Sequence, residues 1–374
     1  MRVVVISDFD FKGSGYFNIA VPICEGLSKR NHDIKVIGLN YRGEEHFYNF
    51  SMLAAGSSME AVMAILMNLY NVWKFDVLLV ALDIPLQEGI MSRLVNRDFG
   101  YVGIFPIEAD PLSFKWATVL SSMDKAYVIS KFGTKEAQKV RVTRAEYLPI
   151  GIDLKSWRMP SDEEYKKFRD TLGFSEEDFV VLTVADNQER KNLGACMQAF
   201  GEFHETYPNS KYIIVTRKNN LVGWTLDELA IRYKFVDDFV CFERGMGFSQ
   251  LWSLYAASDA FLLLSKAEGL SMPCLEAMAT GLPVIATNCT ALTDHLSNEK
   301  GFLVDYYDID YIDPFGNGNR YFAKQSEAAN TLLKVANGDW KHDLQKVMLY
   351  LENLKWENTV DILDRGLNEY NSNR

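Results

Sequence analysis

The sequence predicts an α/β protein of two doubly wound, Rossmann-like domains facing across a cleft. Three observations lead there: short apolar runs alternate with helical segments, the series of runs starts over after residue 155, and 374 residues suffice for two such sheets. Strands covered on both faces read as continuous runs rich in Val, Ile and Leu. In the first half these runs are 3–7, 34–39, 77–82, 101–105, 126–130 and 146–148. In the second they are 179–185, 211–216, 238–242, 260–265, 284–287 and 302–304. Pro149-Ile150-Gly151-Ile152-Asp153 marks the restart, and the charged stretch Ser161 to Asp170 after it has the composition of a surface helix. The expected division is 1–155, 156–355 and a final helix, 356–374. Ligands of such sheets bind beyond the carboxyl ends of the strands, so the interdomain cleft is the expected site.

Composition narrows the function. With 48% hydrophobic and 24% charged residues the chain carries enough apolar material for sizeable cores. A net charge of -11 argues against bulk nucleic-acid binding, which needs a basic surface. Residues 1–150 hold 16 basic and 16 acidic side chains, so the excess lies wholly in 151–374. Lys131, Lys135 and Lys139 recur at helical spacing in the neutral half, with Arg141 and Arg144 just after; they form either a solvated helix face or a surface for an anionic acceptor or membrane headgroups. The five cysteines are scattered without a CxxC pair, as expected of reduced thiols in a cytoplasmic protein. The start, Arg2-Val3-Val4-Val5-Ile6-Ser7, reads as a strand rather than a leader peptide. The apolar stretch 61–73 is too short to span a bilayer and reads as a buried or half-buried helix, with a membrane-lying helix as the alternative.

The most informative segment runs from Glu268 to Ala286, EGLSMPCLEAMATGLPVIA. It leaves the carboxyl end of a strand, Pro273 suits the first turn of a helix, and Gly281 suits its stop. A loop of this kind feeding a helix N-terminus offers backbone N–H groups and a positive dipole end to a phosphate, through Gly269, Leu270 and Ser271. Glu276, one turn into the helix, faces the nucleoside side of such a ligand and can accept from two ribose hydroxyls. A second strand end, Val184-Ala185-Asp186-Asn187-Gln188-Glu189-Arg190-Lys191-Asn192, supplies two adjacent cations for a diphosphate: Arg190 as a planar fork, Lys191 as a point charge. Near the N-terminus, Phe11-Lys12-Gly13-Ser14-Gly15-Tyr16 follows the first strand, and Gly13 and Gly15 there allow close backbone approach to a ligand.

These segments resemble the GT-B glycosyltransferases of the family 4 type (glycosyl transferases group 1). The resemblance rests on the E-x7-E element at Glu268 and Glu276, an N-x-x-R-K-N variant at residues 187–192, the first-domain glycine loop, Arg30-Asn31-His32-Asp33-Ile34, the hinge at Pro149 to Asp153, and Trp356 opening the last helix. It implies that Glu268 lies against the donor sugar, that Glu276 binds the ribose, and that Arg190 and Lys191 contact the donor diphosphate. His32 is then structural, and helix 356–374 crosses back onto the first domain. Three departures stand out. The family usually has Gly where Ser271 stands, and many members have Gly-Arg in place of Ala185-Asp186. Where many members place a His facing the donor sugar, this chain has Phe105-Pro106-Ile107-Glu108-Ala109-Asp110-Pro111; Glu108 or Asp110 is the candidate to orient an acceptor hydroxyl or take its proton.

The expected activity is retaining transfer of a sugar from a nucleoside diphosphate sugar to an unidentified hydroxyl acceptor, an anionic one among the candidates, with no cofactor and no metal. Asp8-Phe9-Asp10 and Asp308-Ile309-Asp310 are the metal-binding alternatives. A nucleotide-sugar epimerase, a sugar phosphorylase and a non-catalytic sugar-nucleotide binder are the rival readings.

Overall fold

A computed structural model describes residues 1–372 apart from 12, 95, 109, 219, 221, 298, 313–317 and 340–342, so Lys12 and Ala109 of the two first-half loops lie outside the described residues. The chain divides into two compact units: Met1–Ile107 with Pro111–Gly151 and Leu354–Arg374, and Ile152–Asn353 with Glu108–Asp110. The segment 108–110, assigned from sequence to the first domain, thus clusters with the second unit.

The first unit runs β1 (Arg2–Asp8), α1 (Gly15–Lys29), β2 (Asp33–Leu39), β3 (Ser51–Gly56), α2 (Met59–Trp73), β4 (Val77–Ala81), α3 (Ile84–Met91), β5 (Gly100–Phe105), α4 (Phe114–Ser121), β6 (Lys125–Val128), α5 (Lys131–Lys139) and β7 (Ala145–Tyr147). Its seven strands pair in parallel in the order β3-β2-β1-β4-β5-β6-β7. β1, β4 and β5 are buried almost throughout, which is why they read as unbroken apolar runs. β3 was missed because Ser-Met-Leu-Ala-Ala-Gly lies at the sheet edge, half exposed and without β-branched residues. The stretch 61–73 forms most of α2, which buries Val62, Leu66 and Leu69 and leaves Met67 and Val72 exposed.

The second unit runs α6 (Asp162–Leu172), β8 (Phe179–Val184), α7 (Leu193–Thr206), β9 (Ser210–Thr216), α8 (Leu226–Arg232), β10 (Phe239–Glu243), α9 (Phe248–Ala256), β11 (Ala260–Leu263), α10 (Met272–Ala279), β12 (Val284–Thr287), α11 (Leu292–Leu296), β13 (Phe302–Val304), β14 (Tyr306–Ile312), β15 (Gly318–Ala323), α12 (Gln325–Ala336) and α13 (Leu344–Glu352). Its parallel sheet has the order β10-β9-β8-β11-β12-β13. The strand order reverses between β8 and β11, and in a doubly wound sheet this switch point is where a crevice opens beyond the carboxyl ends. β14 and β15 form a separate antiparallel hairpin that the sequence reading did not anticipate.

The last helix, α14 (Trp356–Ser372), packs within the first unit. A Cβ at Gly26 would stand 2.4 Å from Val360, so only glycine lets α1 and α14 approach this closely. Thr359 Oγ1 donates to the Pro149 carbonyl at 2.6 Å, Arg30 pairs with Asp361, and His32 Nε2 lies 2.7 Å from Asp364. Among the described residues no helix is long and apolar enough to cross a membrane.

Candidate active site

The loops leaving β8 and β11 meet at the switch point of the second unit. After β8 the chain makes a single helical turn, Glu189–Lys191, and Asn192 takes a left-handed conformation before α7 begins. After β11 it passes through Lys266, Ala267, Glu268 and Gly269 into α10. Two hydrogen bonds to backbone carbonyls tie the two loops together: Lys266 N donates to Arg190 O at 2.8 Å, and Arg190 Nη1 donates to Ala267 O at 2.6 Å. Arg190, Lys191 and Glu268 are therefore held by main chain as well as by charge.

Glu268 is 3% exposed, a position where an unpaired carboxylate is heavily penalised. Lys191 Nζ donates to its two oxygens at 2.6 and 2.9 Å, and Arg190 Nη1 to Oε2 at 3.2 Å. Burial raises the carboxyl pKa, but the two cations outweigh it and hold Glu268 at about 2. Its N–H donates to Thr290 Oγ1 at 2.8 Å.

Glu276 lies on α10 at 5% exposure and among the described residues meets no cation there. Burial pushes its carboxyl up to about 7, with the Tyr255 hydroxyl, donating at 2.9 Å, opposing the rise in part. The helix carrying it starts as the sequence predicts, with Pro273 in the first turn, and Gly281 follows at φ +82. Ser271 caps α10 at φ +73, the left-handed region that glycine adopts without penalty, which gives the glycine usual at this place in the resembled family a physical reason. The loop is held from outside by His295, whose Nε2 lies 2.8 Å from the Leu270 carbonyl while Nδ1 lies 2.7 Å from the Tyr350 hydroxyl.

Glu108 joins this cluster. Its Oε2 is 3.1 Å from Arg190 Nε and its Oε1 is 3.6 Å from Nη2 of Arg320 on β15. Asp110 accepts a hydrogen bond from the Tyr321 hydroxyl, and its carbonyl accepts from Asn319 N at 2.8 Å. Asp186, where many members of the resembled family have Arg, pairs with Arg217 at 3.0 Å. Sequence reasoning missed Arg320, Tyr255, Thr290 and His295; none sits in a local motif, and each reaches the site only through the fold.

In the first unit, Gly13 takes φ +99 and its N–H bonds to the Asp10 carbonyl at 3.1 Å, while Ser14 caps α1 and Gly15 has open space where a side chain would stand. Lys131, Lys135 and Lys139 are all exposed on α5, and Lys139 pairs at 2.5 Å with the buried Glu136. Asp8 Oδ1 accepts from Asp10 N and Asn40 Nδ2, both at 3.1 Å, and Asp308 Oδ1 accepts from Ile309 N. Among the described residues no three His, Cys, Asp or Glu side chains converge as a metal-binding group.

Residues 164–313 match the family model described as Glycosyl transferases group 1. The alpha-monoglucosyldiacylglycerol synthase of Acholeplasma laidlawii is 32% identical over 143 residues, covering 37% of this chain and 34% of that protein. The chain thus aligns with about a third of that relative's length. Sucrose-phosphate synthase from Thermosynechococcus elongatus superposes with a TM-score of 0.80 over the whole of both chains at 16% identity. Anabaena HepE, solved in complex with UDP and glucose, superposes with a TM-score of 0.77 at 14% identity over 99% of this chain and all of that one. The fold is GT-B.

Proposed function

Taking as premise a GT-B chain whose residues 164–313 match Glycosyl transferases group 1, we propose that the protein is a retaining, metal-independent glycosyltransferase acting on a nucleoside diphosphate sugar. The observation that carries this reading is the convergence of Arg190 and Lys191 on the buried Glu268 at the switch point, with Glu276 eight residues further on. Two cations and the N-terminus of α10 suit a diphosphate whose charge grows as it leaves. Glu268 is kept ionised and faces the donor sugar; Glu276 binds the ribose hydroxyls. Gly269, Leu270 and Ser271 let the second-unit backbone approach the donor.

In the transfer step the bond from the anomeric carbon to the leaving phosphate oxygen breaks as a bond to the acceptor oxygen forms. The acceptor proton passes to the leaving diphosphate, with Glu108 or Asp110 orienting the hydroxyl. The complex of HepE with UDP and glucose supports a nucleotide-sugar donor for a chain of this fold. A thermal-shift screen against UDP-, GDP- and ADP-sugars tests the reading, because a ligand selective for the folded state raises the melting temperature. Stabilisation by one base class, followed by acceptor-dependent release of the nucleoside diphosphate, is the expected result. Turnover without acceptor would favour an epimerase instead.

A further inference from the structure

Arg320 lies outside every motif legible in the sequence, yet it is 4% exposed and adjoins the candidate site. Its flanking residues set its position: Asn319 N bonds to the Asp110 carbonyl at 2.8 Å and Tyr321 N to the Lys266 carbonyl at 2.9 Å. Its guanidinium meets the Asn319 carbonyl, 3.3 Å from Nη1, and the Glu108 carboxylate, 3.6 Å from Nη2. The second distance is an ion pair too long for a hydrogen bond. A guanidinium carries five N–H donors in a planar fork, more than these two contacts use. Burial lowers its pKa; Glu108 opposes the fall, Arg190 adds to it, and Glu189 pulls the other way again.

Glu108 spans two guanidiniums, with Arg190 Nε at 3.1 Å on one oxygen and Arg320 on the other. Cations and carboxylates therefore alternate from Lys191 through Glu268, Arg190 and Glu108 to Arg320, and the row is positive at both ends. A phosphoryl oxyanion offers more acceptor oxygens than a carboxylate and suits paired planar forks better.

We infer that Arg320 and Arg190 form an oxyanion fork for a diphosphate, and that Glu108 is the internal carboxylate a diphosphate displaces. Arg320 thereby becomes a donor-binding residue delivered by the β14–β15 hairpin, and Glu108, once displaced from Arg190, is left next to the donor to meet an acceptor hydroxyl. The inference deepens the glycosyltransferase reading and rests on it for nucleotides, though not for inorganic pyrophosphate.

The test is calorimetric titration of the full chain and its variants with inorganic pyrophosphate, UDP, GDP and ADP. Arg320→Gln should weaken pyrophosphate roughly ten- to a hundredfold, the scale of charge-assisted hydrogen bonds. Arg320→Lys, which keeps the charge and loses the fork, should fall between and guards against a folding defect in the first variant. Glu108→Gln should bind pyrophosphate more tightly than wild type, because an internal competitor is gone. A merely structural Arg320 would not lower the ratio of diphosphate to monophosphate affinity; a fork should. Unchanged pyrophosphate affinity in Arg320→Gln, no pyrophosphate binding by wild type, or weaker binding by Glu108→Gln overturns the inference. Arg320-dependent pyrophosphate binding without any response to nucleotides or nucleotide sugars would instead overturn the donor reading and leave the oxyanion fork standing.

Discussion

Lys191 holds both oxygens of Glu268, at 2.6 and 2.9 Å, so the most deeply buried carboxylate of the candidate site is also the most firmly ionised. Eight residues on, Glu276 is nearly as buried, but among the described residues its carboxylate is met by a phenol rather than a cation. Two glutamates of one motif are thereby given opposite charge tendencies by their surroundings.

Glu276 makes donor binding depend on pH. Its folded pKa of about 7 lies above the unfolded value, so folding favours the protonated form. Its contribution to stability is most favourable below the unfolded value and falls as pH rises to about 7. Glu276→Gln should therefore leave the ligand-free protein about as stable at pH 4 and more stable at pH 8, by on the order of 2–3 kcal/mol. Ribose hydroxyls need the carboxylate, so wild-type donor binding near pH 6 should release a proton, detectable by calorimetry in buffers of different ionisation enthalpy. The variant should lose both the release and roughly 1–3 kcal/mol of donor affinity. Proton-neutral binding would remove Glu276 from the ribose.

Lys191→Met leaves Glu268 buried with Arg190 alone. The expected loss is roughly 2–4 kcal/mol at pH 7, the scale for breaking a buried pair from one side. In wild type the depressed Glu268 pKa gives stability that is present above about 4.5 and lost as pH falls toward 2. The variant's deficit should therefore shrink in acid, where Glu268 takes up a proton, and Glu268→Gln added to Lys191→Met should recover much of it. Denaturant melts at pH 7 and pH 4 read both effects.

Arg190→Ala should lower kcat more than it lowers donor affinity, by about 2–4 kcal/mol of barrier, because charge on the leaving oxygen grows toward the transition state. A raised KM with intact kcat would place Arg190 in ground-state binding.

Activity should survive EDTA if cations and a helix dipole supply the positive charge. Loss on chelation, restored by Mn²⁺ or Mg²⁺, would bring back Asp8 with Asp10 or Asp308 with Asp310 as ligands.

The basic face of α5 presents three exposed lysines, of which Lys139 also pairs with Glu136. Lys131→Gln with Lys135→Gln should raise the KM of an anionic acceptor and flatten its salt dependence, exposed attraction being screened within about 10 Å at 0.1 M salt. Donor affinity should be unchanged. Full activity and an unaltered salt response would return the helix to a solvated face.

Much of the architecture was legible because a strand buried on both faces is apolar along most of its buried stretch, as β1, β4, β5 and β8 are. The start and stop of α10 were legible for a related reason: Pro273 and Gly281 are local backbone constraints, written where they act. Edge and solvent-facing strands carry a weaker signal, so β3 and the β14–β15 hairpin, with Tyr307, Ile309 and Tyr311 turned outward, escaped it. Glu268, Glu276, Arg190 and Lys191 could be nominated from sequence because each lies in a contiguous segment at a strand end or on the helix after it. Their electrostatic state could not, because it depends on Tyr255, Lys191 and Arg190 arriving from other elements, and the charge of a buried group is set by its neighbours in space. For the same reason the meeting of Arg320 with Glu108 belongs to the tertiary structure alone: no local pattern links the two, and only the folded second unit places the guanidinium and the carboxylate side by side.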